Sequence, residues 1–576
     1  MIDNVIVFQR TRIPRRGVHL GISAAAPLSA ESRRLLSRNC EHAGRIFLLF
    51  SLFLLAGAVQ CAAEAVYQFA VPVAHRTAYL WLPPNCGKVR GVLVAFANLT
   101  ERQWLEDPLI RTTSTDECLG DIWIGPGDET LLNADLKPGA AEALLDMFRD
   151  LARQSGFQEL EWVPVIPMGH SAHGQFAWRF AQLFPERTIA AIPIKTTLLP
   201  TDLNLSGIPL LYVVGETTEW PQYRDGRPGD RNFFWPQVRE SARALRSANP
   251  ESLIAVATEP GGGHFDWSEE QARLVALFIR EACTHRLPRH TPDHGPVPLR
   301  PIHAKDGWLT DSMGVQPDRW PAAPAGSYRG DPSQSYWFFN GIMARAAAAF
   351  SGDRIQRQKQ MLTFRQDGKL LPVAAQGFAA LRFEPEADGI TFHLTPESLP
   401  SVPVGLIGAG TALGHTDGPI ELSVLTGPAI QISRYEFRID LHRGSMGGDL
   451  WIEERQAGDD AYRKAVQPGK MLIPTRLTEG SAQNIRFDPI ADQRSTTGFI
   501  PLHAISSSGL PVRFYVDNGP AVVVEDNLVL KEVPRFAKRP IEIKVVAYQW
   551  GRPPDATSSN GVQSAEPVTR TFFLTP

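Results

Sequence analysis

Trp162-Val-Pro-Val-Ile-Pro-Met-Gly-His-Ser-Ala-His-Gly-Gln-Phe-Ala-Trp-Arg-Phe-Ala-Gln-Leu-Phe184 decides the fold of the first half of this chain. The apolar run Trp162–Ile166 reads as a buried strand. Phe176, Phe180 and Leu183 recur about one helical turn apart. Between them, Pro167-Met-Gly-His-Ser-Ala-His-Gly174 makes a sharp turn with Ser171 at its tip. Strand, turn and helix with a serine at the turn is the layout of a nucleophile elbow. A serine hydroxyl needs a base to take its proton and donors for the oxyanion it creates. The elbow aims the next backbone N–H, that of Ala172, at the reacting carbonyl.

Gly169, His170, Ser171 and Ala172 fit the G-x-S-x-G pattern, whereas His173 stands where a second glycine is expected and Gly174 follows. With that one departure the segment resembles the α/β-hydrolase superfamily. The resemblance covers about residues 66–285 and implies a mainly parallel sheet with helices on both faces. It also implies the chain order nucleophile, acid, histidine. Ile208-Pro-Leu-Leu-Tyr-Val-Val-Gly215 reads as the strand before the acid, and Glu219 and Glu216 follow it. Glu219 is favoured because it lies further past the strand end; Asp225 and Asp230 are fallbacks in the same loop. His264, in Glu259-Pro-Gly-Gly-Gly-His-Phe-Asp-Trp267 after the strand Leu253–Ala257, takes the place of the base. It would accept the serine proton and return it to the leaving alcohol. Val89–Ala97 reads as the strand whose loop supplies the second oxyanion donor, with the N–H of Asn98 or Leu99 as candidates.

Length exceeds one ordinary domain. A hydrophobic fraction of 43% and a formal charge of −3 describe a globular protein with no basic excess for nucleic acid. Ile46–Val59 is apolar but too short for a comfortable span, so no stable membrane span is expected. Arg33, Arg34, Arg38 and Arg45 precede it and Ala63-Glu-Ala65 follows, the pattern of a secretory signal peptide cleaved after Ala65. Export from the cytoplasm is the expectation. Cys86, Cys118 and Cys283 would remain, enough for one disulfide at most, and the cysteines show no metal-ligand spacing. Neither a metal nor another cofactor is expected.

The chain reads as an N-terminal extension and signal peptide (1–65), the hydrolase-like domain (66–285), a Pro-, His- and Gly-rich wrapping segment (286–380), a β-sandwich-like domain (381–475) and an immunoglobulin-like domain (476–576). A helix is expected over Tyr336–Phe350, and strands at Gly389–Leu394, Ile420–Leu425, Tyr435–Leu441, Ile485–Phe487 and Ile541–Gly551. The phrase Ser506-Ser-Ser-Gly-Leu-Pro-Val512 resembles immunoglobulin-like modules of secreted bacterial proteins. A chain ending at residue 475 is expected to fold and keep its activity on a small ester.

The resemblance implies an exported serine hydrolase of carboxylic esters acting through an acyl-enzyme. Trp220, Trp235, Trp267 and Trp308 flank the expected cleft. Because aromatic planes stack on sugars, acyl esters of plant polysaccharides are the favoured substrate class; a small-molecule ester is the other. A lipase or peptidase on the same triad, or an inactive carbohydrate-binding surface protein, are the alternatives.

Overall fold

A computed structural model describes residues 65–128, 131–132, 136–216, 219, 234–311, 320–352, 357–373, 377–404, 408–445, 448–495, 498–554 and 560–576. The expected signal peptide, Trp220, Asp225 and Asp230 lie outside them. Among the described residues no helix is long and apolar enough to cross a membrane.

Eight strands form the central sheet: β1 (Phe69–Val73), β2 (Arg76–Trp81), β3 (Gly91–Phe96), β4 (Leu119–Ile124), β5 (Val165–His170), β6 (Ile192–Ile194), β7 (Leu210–Gly215) and β8 (Ile254–Glu259). Their order is β1-β2-β4-β3-β5-β6-β7-β8. The first hairpin is antiparallel, as its alternating sequence predicts, and β2 joins β4 antiparallel. All pairs from β4 to β8 are parallel. Every residue of β3, β4, β5, β7 and β8 is buried. That is the signature of strands covered on both faces. This mostly parallel sheet with its helices fits the α/β-hydrolase architecture.

The helices are α1 (Glu101–Glu106), α2 (Pro108–Glu117), α3 (Ala140–Ser155), α4 (Gln175–Leu183), α5 (Phe234–Ala248), α6 (Glu269–Arg286) and α7 (Gly341–Ser351). The period-2 geometry of a strand divides β3 between two cores. Val92, Val94 and Phe96 join Leu144, Met147, Phe148 and Leu151 of α3. Leu93 and Ala95 join Val238 of α5 and Val275 and Ile279 of α6. Burying each such aliphatic or aromatic side chain contributes roughly 1.5–3 kcal/mol before entropy is counted. The chain from Glu101 to Glu117 folds as two helices, α1 and α2, parted at Asp107. Asp107 caps α2 by accepting from Leu109 N (2.8 Å) and Ile110 N (3.1 Å), and Pro108 takes the first helical position. Cys86 and Cys118 form a disulfide, and Cys283 is free and buried.

The wrapping segment carries more structure than its composition suggests. Trp308–Thr310, Ala323–Pro324 and Tyr336–Phe338 make a three-stranded sheet. Tyr336 therefore begins a strand, and the helix expected from there starts only at Gly341, where Asn340 accepts from Met343 N (3.0 Å). Aromatic Tyr336-Trp-Phe-Phe339 and α7 complete the core beside α6.

The remaining chain is β-rich. Ala379–Leu381, Ala465–Leu472, Asp449–Gln456 and Ile420–Thr426 form a four-stranded sheet, and Thr391–His393, Glu436–Ile439 and Ala429–Gln431 a three-stranded one. The two share a core that includes Phe392, Phe437, Leu450, Ile452 and Met471. Beyond residue 476 a second set of small sheets is built mainly on Ile541–Tyr548 paired with Val568–Thr575 and Arg513–Asn518.

This last set does not stand apart. Its core residues Phe487, Val516, Leu528, Ile543 and Phe572 belong to the same contiguous apolar cluster as Phe69, Leu144 and Phe148. Lys538 N donates to Ser155 O at 2.7 Å, and Arg443 donates to Val516 O (3.0 Å) and Asp517 O (2.6 Å). Cutting at residue 475 would bare that apolar surface. The expectation that such a chain folds is therefore reversed. A 66–475 chain should aggregate or unfold at lower temperature than the full chain, measured by calorimetry; a native melting temperature would show that the shared core is dispensable.

Candidate active site

Strands β5, β7 and β8 end together: His170 pairs with Ile194, Ile194 with Val213, and Gly215 with Glu259. Sequence after β3 runs to β4 on one side and then to β5 on the other, so the order reverses between β3 and β5. In such sheets ligands bind beyond the carboxyl ends of the strands at this reversal.

Ser171 opens a 3-10 turn there with φ +56°, in the left-handed region. A non-glycine residue held in that region costs energy and persists where its surroundings impose it. The imposition is visible. A Cβ on Gly169 would overlap His173 O, and one on Gly174 would overlap Thr196. Gly174 thus supplies the close helix-to-strand approach that the pattern assigns one residue earlier. His173 is accommodated by turning its ring edge-on to Phe96, with centroids 6.1 Å apart, and it is buried.

The structure brings Ser171, His264 and Glu219 together. Ser171 Oγ lies 2.8 Å from His264 Nε2, and His264 Nδ1 lies 2.8 Å from Glu219 Oε2. A carboxylate accepts only, so Nδ1 carries the proton and Nε2 presents its lone pair to the serine hydroxyl. Glu219 also accepts from Gly215 N, which ties it to the end of β7. Glu216 faces elsewhere: it accepts from Gly261 N (2.7 Å) and pairs with Arg463. His170 Nε2 donates to His264 O at 2.6 Å, linking elbow and base loop.

Asn98 and Leu99 do not offer their N–H groups to an oxyanion as expected. Both donate to Glu101 Oε2 at 2.9 Å, and His170 N donates to Glu101 Oε1 at 2.9 Å. Glu101 is 1% exposed, and burial pushes its carboxyl up against the pull of His173 and these N–H groups. A desolvated carboxylate needs donors, and the nearest loop supplies them. Ala172 N–H, second in its turn and so among the donors that a helix start leaves without an intrahelical acceptor, is the expected oxyanion donor that these contacts do not occupy.

Below the base lies a cluster of buried charge. Lys195 Nζ reaches Glu259 Oε2 (3.2 Å) and Asp266 O (2.6 Å). Burial, then Lys195, push the His264 imidazole down to about 3. Sequence reading missed Glu101, Lys195 and these carboxylates, because a lone charged residue in a loop looks solvated. The expected tryptophans are placed less directly. Trp235, Trp267 and Trp308 are half-buried and pack against the core, Trp267 edge-on to Trp104. Phe265, Phe378 and Trp451 form the aromatic group that joins the base loop. As for a metal, one group among the described residues gathers three ligand atoms within 4.8 Å of one another, Glu386, His393 and Glu436, and two of the three are exposed.

No protein-family model matches the sequence, and no curated protein matches it. Among solved structures the chain is similar to LpqC, a poly(3-hydroxybutyrate) depolymerase from Bordetella parapertussis, at 16% identity and TM-score 0.27, over 37% of this chain and 90% of that one. It is similar to a Pyrobaculum calidifontis esterase at 14% identity and TM-score 0.28, over 44% and 98%. A third likeness is to the S-formylglutathione hydrolase FrmB of Staphylococcus aureus, at 12% identity and TM-score 0.27, over 37% and 96%. Likenesses this distant carry no argument about what the chain does.

Two outcomes follow from the geometry. Glu219→Gln should lower turnover of a chromogenic ester by about 10²–10⁴-fold, as removing the carboxylate of a triad does, while Glu216→Gln has a much smaller effect. The reverse order would move the acid to Glu216. Because the depressed His264 stays neutral as pH falls, kcat/KM should hold to below pH 6 and drop only as the imidazole protonates. An acid limb at or above pH 6.5 would contradict this environment.

Proposed function

We propose that the chain is a serine hydrolase of carboxylic esters. The carrying observation is the pair of 2.8 Å contacts that place His264 between Ser171 and Glu219. Ser171 Oγ attacks the ester carbonyl carbon while His264 Nε2 takes its proton. Ala172 N–H faces the developing oxyanion. Collapse expels the alcohol, which leaves with the proton from Nε2, and an acyl ester remains on Ser171. Water, deprotonated by the same Nε2, then attacks this ester; the acyl–Oγ bond breaks, Nε2 returns the proton to Ser171 Oγ, and the carboxylic acid is released. Glu219 holds the imidazole tautomer and stabilises its cation.

Export rests on the arginines and apolar run before Ala65. The terminal β unit is read as immunoglobulin-like on its Ser506–Val512 phrase. Appended β units and half-buried tryptophans support acyl esters of plant polysaccharides as the substrate class. A second reading, an apolar ester of the kind lipases cleave, has its own support: Leu99, Phe265, Phe378, Leu425 and Trp451 form one apolar cluster beside the base loop. Acetylated or feruloylated xylan against a series of p-nitrophenyl esters of rising chain length separates the two.

Ser171→Ala should abolish ester hydrolysis, a loss of about 10⁴-fold or more, with an unchanged melting temperature. It should also remove covalent labelling by a fluorophosphonate. Near-normal turnover in folded Ser171→Ala protein would sink the serine-hydrolase reading.

A further inference from the structure

The β unit before residue 475 reaches all three segments around the triad. Its strands Asp449–Gln456 and Ala465–Leu472 pair antiparallel. On the base loop, Arg455 Nη2 donates to Asp266 Oδ1 (2.7 Å) and to Glu453 Oε1 (2.6 Å). Lys464 Nζ pairs with Glu259 and with Asp266 Oδ2 (3.2 Å). Trp451 packs on Phe265 with the ring planes tilted by 33° and the centroids 4.2 Å apart. Just past β7, three residues before the acid, Arg463 holds Glu216, which holds Gly261 N. In the first turn of α1, next to Glu101, Arg102 Nη1 lies 2.6 Å from His442 Nδ1 and donates to Arg443 O at 3.2 Å.

These contacts address a weakness of the base loop. Gly261-Gly-Gly263 precedes His264, and glycine is the most permissive backbone. Three glycines cannot fix an imidazole by themselves. The loop is fixed from outside: at Glu259 before the glycines, at Gly261, and at Phe265 and Asp266 after His264. Gly261 has φ +74°, and a Cβ there would overlap Lys464 O, so the β unit lies directly on it. Lys195, Arg455 and Lys464 face the buried carboxyls of Glu259, Asp266 and Glu453.

We infer that Arg455 and Lys464 are positioning residues for His264: by fixing Asp266 and Glu259 they hold the imidazole within reach of Ser171. This rests on the serine-hydrolase reading. It makes the β unit part of the catalytic machinery, although its sequence holds no catalytic cluster. Displacing a reacting group by about 1 Å costs about 10²-fold, so the effect belongs in turnover rather than in binding.

Arg455 is the better probe, because its side chain is 26% exposed and Asp266 keeps Lys464 when it is replaced. The full chain is assayed on p-nitrophenyl acetate, with active sites counted by fluorophosphonate titration. Arg455→Met should lower kcat per titrated site by about 10- to 100-fold with KM within about twofold. Arg455→Lys, which keeps the charge but not the planar fork, should fall between it and wild type. Lys464→Met should behave as Arg455→Met does. If the methionine variants do not fold, Arg455→Lys decides alone by a lower kcat at unchanged KM. Folded variants with wild-type kcat per titrated site, or losses that lie in KM or only in melting temperature, overturn the inference. A wild-type chain that neither hydrolyses the ester nor labels at Ser171 fails differently: it removes the serine-hydrolase reading and this inference with it.

Discussion

The site depends on one backbone constraint. A serine leaves the end of β5 and faces a base only if its backbone turns left-handed, and Ser171 does so at φ +56°. That conformation is unfavourable for an L-residue, so neighbouring packing must enforce it. Strand and helix crowd the turn from both sides, leaving no room for side chains at Gly169 and Gly174. The hydrogen bonds of His170 then fasten the strained turn, its N–H to Glu101 and its ring to the carbonyl of His264.

Buried charge is the second theme. Glu101, Glu259, Asp266 and Glu453 are each at most 2% exposed. A buried carboxylate without donors would be costly. Each is therefore met by donors: Glu101 by backbone N–H groups, Glu259 and Asp266 by cations from distant parts of the chain, and Glu453 by Arg455 two residues on. Arg455, Lys464, Glu259 and Asp266 make an ion-pair network rather than isolated pairs. Removing one member of a buried pair usually costs about 3–5 kcal/mol, because the other is left uncompensated. Such a network adds little net stability over apolar packing, but it admits few alternative arrangements, which suits a loop that must hold one side chain still.

Legibility from the sequence was uneven, for physical reasons. The parallel strands read clearly because they are uniformly apolar. Strand Asp449–Gln456 did not, because Glu453, Glu454 and Arg455 look solvated, yet the first two are fully buried. Its partner Ala465–Leu472 carries Pro468 and Gly469, which punctuate a sequence as a turn does. Tyr336–Phe338 reads as helix in the sequence because the alanines after it dominate the periodicity, yet it forms a strand. Asn98 and Leu99 were sensible oxyanion donors by position; only the fold shows that Glu101, two and three residues on, takes both.

What the sequence by itself determined is local. An apolar run, a small-residue turn and an amphipathic stretch specify strand, elbow and helix within about 20 residues. The order serine, glutamate, histidine follows from which strand ends carry them. Tertiary structure decided what is non-local: which of Glu219 and Glu216 meets His264, that Glu101 also takes the His170 N–H, and where the charges of the β unit go. Those choices depend on side chains far apart in the chain, such as Arg463 and Glu216, 247 residues apart. Neither periodicity nor spacing carries information over that distance, because it is packing of the whole chain that brings such groups into hydrogen-bond reach.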